Sequence, residues 1–159
     1  MFFYLSPTPA SAQILPLKDG FFSGNMLIYK NNRVVDSIPT TLSINAILPD
    51  SVWQWKTEYL SAKMPVTKDY KLSVSDRSKG IYLTDEGDSV ILYNYLLGNK
   101  LYCQFETGSF LLTSTYEFTN DNEIIFEVTA GKKIPGNSTD EIINYQINTL
   151  QKTIFKRNK

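Results

Sequence analysis

The strongest chemical signal in this sequence lies in one short run, Val52-Trp53-Gln54-Trp55-Lys56-Thr57-Glu58-Tyr59. On an extended strand, alternation puts Trp53, Trp55, Thr57 and Tyr59 on one face and Gln54, Lys56 and Glu58 on the other. The first face leaves water and the second keeps it. Indole and phenol present flat apolar walls, each ending in a single polar atom, which suits contact with a small molecule more than bond-making.

Reactive chemistry is poorly supplied. The chain contains no histidine, which excludes a Ser-His-Asp triad, a Cys-His nucleophile, a proximal-histidine haem and zinc sites built on imidazole. Cys103 is the single cysteine, so no internal disulfide, CxxC pair or thiolate cage can form, and Cys103 is expected inside as a small hydrophobe. Glu117 and Glu127 fall on neighbouring strands, but parity with Tyr116 and Phe126 turns both outward as a solvated pair. Asp85-Glu86-Gly87-Asp88 lacks the spacing of a calcium loop and reads as an acidic hairpin tip. No Gly-rich phosphate motif occurs. Accordingly no catalytic residue, metal site or cofactor is assigned. The 16 basic and 16 acidic side chains balance, which gives no electrostatic ground for nucleic acid. No stretch approaches the roughly 20 apolar residues that a membrane-spanning helix needs, so the protein is not expected to be integral to a membrane.

The elements that would carry these residues follow an all-β cadence from Phe21 onward. Alternating runs near 22–29, 38–47, 52–59, 69–74, 80–84, 89–96, 100–105, 109–118 and 123–129 are separated by Gly, Asn or Asp, the residues of tight hairpin turns. Gly98-Asn99 suits a two-residue type II′ turn. Links this short force antiparallel neighbours, and closing the meander removes two exposed edges. The expectation is an up-and-down barrel of about 8–10 strands, with an open curved sheet or a two-layer sandwich left open as alternatives. The C-terminal stretch reads two ways. Ser138-Thr139-Asp140-Glu141 is a capping box with Ile143, Ile147, Leu150 and Ile154 at helical spacing; period two instead aligns Tyr145, Ile147, Thr149, Gln151, Thr153 and Phe155. The favoured reading is a turn near Asp140 and a long last strand that pairs with the first.

Residues 21–159 form one domain on this reading, and 1–20 an N-terminal extension. Within the extension Ala10-Ser11-Ala12 fits the cleavage pattern of a secretory signal. That would place the protein outside the cytoplasm, in the periplasm or beyond; otherwise it is cytoplasmic.

The opening Phe21-Phe22-Ser23-Gly24-Asn25-Met26, the closing Thr153-Ile154-Phe155-Lys156-Arg157 and the strand order between them resemble the calycin superfamily, the lipocalins and fatty-acid-binding proteins. The similarity is closest to small bacterial lipocalin-like barrels. It implies that Arg157 lies across Phe22 or Phe21 at the closed end. The opening motif has no tryptophan and the first two strands enclose no helix-turn-helix lid, which sets the chain apart from fatty-acid-binding proteins proper. The histidine that haem-binding relatives place on iron is absent.

On such a barrel every second side chain points inward. Thr57, Asn94, Ser114 and Gln151 would be awkward in a dry core without partners, which argues for a cavity. Its expected lining is Trp53, Trp55, Thr57, Tyr59, Tyr116, Tyr145 and Gln151. The function this supports is non-catalytic binding of a small, largely apolar ligand. Two other readings stay open: a packed barrel serving as a structural or interaction module, a homodimer among its forms, and a lipid isomerase or cyclase that acts by confinement.

Overall fold

A computed structural model describes residues 14–135 and 142–159; the cleavage pattern at 10–12 and the capping box at 138–141 lie outside the described residues. Ten strands account for most of the chain: β1 (Gly20–Lys30), β2 (Arg33–Leu48), β3 (Val52–Tyr59), β4 (Val66–Asp76), β5 (Ile81–Gly87), β6 (Val90–Leu97), β7 (Lys100–Thr107), β8 (Phe110–Asn120), β9 (Glu123–Lys133) and β10 (Tyr145–Arg157). Each pairs antiparallel with its sequence neighbours, and β10 closes on β1 from Phe22↔Arg157 to Tyr29↔Leu150. The result is a closed up-and-down barrel. The helical reading of the C-terminal stretch fails because a helix there would leave β1 and β9 each with an unpaired edge.

Turn chemistry sets the hairpins. Asn31 and Asn32 both take positive φ, 48° and 59°, as a type I′ turn requires, and between β6 and β7 only Gly98 does, at 64°, as type II′ requires. A short 3-10 turn at Arg77–Lys79 joins β4 to β5, capped by the Asp76 carboxylate, which accepts from the Ser78 and Lys79 amides.

The barrel is filled at one end. Phe22, Leu42, Ile44, Trp53, Leu72, Tyr82, Leu96, Phe118, Ile124 and Phe155 pack there as one cluster. The Arg157 guanidinium sits 4.6 Å from the Phe22 ring centre, as the family resemblance implies. Its Nη1 donates to the Asp19 carbonyl at 2.7 Å and its Nε to the Asp121 carbonyl at 2.8 Å. These contacts seal the first, last and eighth-to-ninth strand junctions together. The packed body begins before Phe21: Leu15 is buried in the same cluster, and its amide donates to the Tyr82 hydroxyl at 3.1 Å. Residues 14–19, grouped with the extension on sequence grounds, therefore form part of the plug, because Leu15 and Leu17 supply apolar side chains to a barrel end that would otherwise face water.

Candidate functional site

Past the plug, the interior opens into a cavity of about 280 Å³, close to the lower bound for small-molecule pockets. Strands β3 to β10 supply its walls. The aromatic part is one connected stack. Trp55 meets Tyr116 edge-on, with ring centres 4.9 Å apart at 76°, and Tyr116 stacks on Phe126 at 4.4 Å and 24°. On the plug side Trp55 also meets Phe118 edge-on at 6.5 Å. Offset and edge-on contacts of this kind hold the rings in fixed orientations.

The polar atoms of the wall are unevenly satisfied. Asn94, buried, donates from Nδ2 to the Thr84 hydroxyl at 2.9 Å and to the Leu92 carbonyl at 3.1 Å. Its carboxamide is thereby held with the oxygen still able to accept. Trp55 Nε1 is buried and makes no well-formed hydrogen bond among the described residues, although the Tyr116 hydroxyl lies near enough to feel it. Thr57, Ser114 and Gln151 add two hydroxyls and an amide.

Nearer the rim lie Tyr59, Tyr70, Lys68 and Glu86. The Lys68 ammonium is 5.8 Å from the Tyr70 ring centre, and the Glu86 carboxylate lies near enough to the Tyr70 phenol to act on it. Burial pushes the Tyr59 phenol up to about 12. Burial also raises Tyr116, and burial followed by the Glu86 charge raises Tyr70. The cavity phenols are thus neutral hydrogen-bonding groups throughout the physiological range. Burial likewise raises the Cys103 thiol, which keeps it protonated and a poor nucleophile.

The wall is uneven in height. The Val66–Tyr70 half of β4 pairs with β3 alone, and the Gln104–Thr107 half of β7 pairs with β8 alone. Between them stands only the β5–β6 hairpin, whose Glu86 and Leu92 line the cavity. This is the side on which a guest meets least backbone pairing.

Of the seven residues expected on sequence grounds, Trp55, Thr57, Tyr59, Tyr116 and Gln151 line this cavity. Trp53 shares their face but sits one pair deeper, opposite Leu72 and buried within the plug. Tyr145 lies on the outer wall, where its hydroxyl donates to Glu106 Oε1 at 2.6 Å. The cause is a bulge in β10 between Ile147 and Thr149: the extra residue reverses the alternation, so Thr149 onward follows the inward parity and Tyr145 and Ile147 the outward one. Ile147 is accordingly 67% exposed. Lys68 and Glu86 were not anticipated, Glu86 being read as part of a solvated tip. The signal was present as Tyr82-x-Thr84-x-Glu86, an unbroken alternation that carries the carboxylate inward.

No protein-family model and no curated protein matches the sequence. Among solved structures, the S-type phycobiliprotein lyase CPES from Guillardia theta superposes with a TM-score of 0.64, covering 89% of this chain and 88% of that chain at 6% sequence identity. At that identity the likeness speaks to fold alone. Among the described residues no helix is long and apolar enough to cross a membrane. Strand order, closure and this structural likeness agree on the fold: a closed, lipocalin-like up-and-down antiparallel barrel.

Proposed function

We propose that the barrel binds a small molecule with a flat apolar body and hydrogen-bonding groups, and performs no chemical step on it. The observation that carries this reading is a cavity of about 280 Å³ walled by stacked aromatics, with Trp55 Nε1 buried in its wall without a hydrogen-bond partner among the described residues. A polar atom left buried and unpaired in a cavity wall costs about 1–3 kcal/mol, which an acceptor on a guest would recover. The protonated thiol and neutral phenols supply contact and hydrogen bonds without an activated nucleophile. The structural neighbour, by name a phycobiliprotein lyase, adds support for a small ligand as the guest.

The test uses the two tryptophans. In Trp53→Phe, the emission reports on Trp55 alone, and titration with a library of lipophilic compounds and metabolites should give saturable quenching for some members. Ser114→Phe, which fills the cavity, should abolish that saturation while the far-ultraviolet circular dichroism stays unchanged. A library that never moves Trp55 emission, or quenching that survives Ser114→Phe, overturns the proposal.

A further inference from the structure

Of the described residues that line the cavity, two carry a charge, Lys68 of β4 and Glu86 of β5. Alternation turns both inward. Lys68 lies opposite Thr57 and two residues from Tyr70, which lies opposite Trp55. Glu86 continues the row of Tyr82 and Thr84, and Thr84 lies opposite Leu72. Carried one inward-facing pair further, that register sets Glu86 beside Tyr70, with Lys68 one step nearer the mouth. Tyr70 therefore stands between the two charges. Its ring centre is 5.8 Å from the Lys68 ammonium, within cation–π range, and its phenol lies close to the Glu86 carboxylate. Neither charge is paired within the protein: no ion pair joins Lys68 and Glu86 to each other or to any other described residue, whereas Lys56, Lys100 and Lys152 on the outer wall each hold a glutamate.

We propose that the guest of this cavity is an aromatic amino acid, with its carboxylate on Lys68, its ammonium on Glu86 and its ring against Trp55 and Tyr116. This rests on the cavity binding a small molecule at all, and adds the charge pattern of that molecule. A guest with a single negative charge would gain Lys68 but face Glu86, and one with a single positive charge the reverse, because both charges act at the same narrow mouth. A zwitterion carrying its two charges on neighbouring atoms satisfies each, and brings no net charge to a lining whose own two charges cancel. Size agrees with this class. The cavity of about 280 Å³ would hold about nine waters at about 30 Å³ each, which is room for one or two rings and a short polar end but not for a long acyl chain. Lys68 is exposed and Glu86 half-buried, so each ion pair contributes modestly and the stacked rings supply the rest of the affinity.

Isothermal titration calorimetry on the full chain tests this, with L-phenylalanine, L-tyrosine and L-tryptophan as probes, each beside the acid that lacks its ammonium and the amine that lacks its carboxylate. At least one amino acid should bind saturably, and roughly threefold or more tighter than both of its analogues. Lys68→Met should weaken that amino acid and its acid by roughly threefold to fivefold, and the amine far less. Glu86→Gln should weaken the amino acid and the amine, while the acid gains. Lys68→Glu combined with Glu86→Lys should recover part of the loss. The ranking on the unaltered chain needs no variant to fold, and an acid or amine that binds as tightly as its amino acid overturns the proposal. So do variant losses that ignore this charge pattern. A chain that takes up lipophilic compounds in a manner sensitive to Ser114→Phe, but no amino acid, overturns this proposal alone; a chain that takes up neither overturns the cavity reading with it.

Discussion

Thr153→Val is expected to stabilise the protein, against the usual outcome for a substitution at a fully buried position. Thr153 lies on β10 between Met26 of β1 and Phe126 of β9, is 0% exposed, and its hydroxyl has no hydrogen-bond partner among the described residues. A hydroxyl left in that state costs about 1–3 kcal/mol relative to its hydrated form. Valine has nearly the same shape and the same preference for a strand, and its second methyl adds about 0.8 kcal/mol of apolar burial. Discounting for a compact unfolded chain leaves a net gain of about 1–2 kcal/mol. For a chain of this length that is roughly a 3–6 °C rise in Tm, with a urea midpoint higher by about 0.5–1 M. Both follow from circular dichroism. Thr153→Ser is the control, since it keeps the hydroxyl and removes the methyl, and should cost about 1 kcal/mol. A Thr153→Val variant that is neutral or less stable would refute the reasoning, because it would mean the hydroxyl holds a partner whose loss cancels the gain.

Two further outcomes follow from the same geometry. Gly24→Ala should cost about 2–4 kcal/mol, because its Cβ would stand 2.4 Å from the Ile154 carbonyl oxygen, a backbone atom that moves only if the β1–β10 seam parts. Gly98→Ala meets open space and bears only its positive φ, so urea melts should rank it well above Gly24→Ala. In alkali, the buried phenols retain protons that the unfolded chain releases near its ordinary 10.0, Tyr59 holding on up to about 12. Stability is therefore level below about pH 10 and falls as pH rises from there toward 12. Phenolate absorbance should show exposed tyrosines ionising first and Tyr59, Tyr70 and Tyr116 only as the circular dichroism is lost. A single titration near pH 10 with the fold intact counts against the burial of these rings.

The sequence carried the barrel because alternation and turn residues are local. Trp53-x-Trp55-x-Thr57-x-Tyr59 declares its inward face without reference to any other strand, and Asn31-Asn32 and Gly98-Asn99 declare hairpins by the φ values they tolerate. Position along the barrel axis is not local. Trp53 and Trp55 are indistinguishable in the sequence, yet Trp53, opposite Leu72 at the cavity floor, stays below the cavity, while Trp55, opposite Tyr70, lines it; which storey a residue occupies depends on the stagger of all ten strands. The bulge in β10 was equally hidden, since Asn148 bears no mark that separates an extra residue from an alternating one, and it carried Tyr145 out of the expected site. Leu15 was obscured for a different reason: with Leu17 it shares a Pro-containing segment with the N-terminal extension, and its burial comes from the open barrel end it covers.

The division into storeys separates what holds the barrel from what the cavity can do. At the plug, Arg157 ties three strand junctions while Leu15 and Tyr82 close the floor. At the rim, the same strands diverge from full pairing: β4 beyond Lys71 and β7 beyond Cys103 each lose one neighbour. Local opening draws on the least paired backbone first, which here is the Val66–Tyr70 half of β4 and the Gln104–Thr107 half of β7, on either side of the β5–β6 hairpin. The residues on that hairpin are also the ones with the mixed chemistry, Glu86 and Asn94 among leucines. Selection on ligand fit can therefore act on the hairpin and the rim with little cost to folding, whereas substitutions at Phe22, Gly24 or Arg157 act on the closure of the barrel itself. Binding and stability should then respond to different substitutions, those lining the rim changing affinity at constant Tm and those at the plug changing Tm at constant affinity.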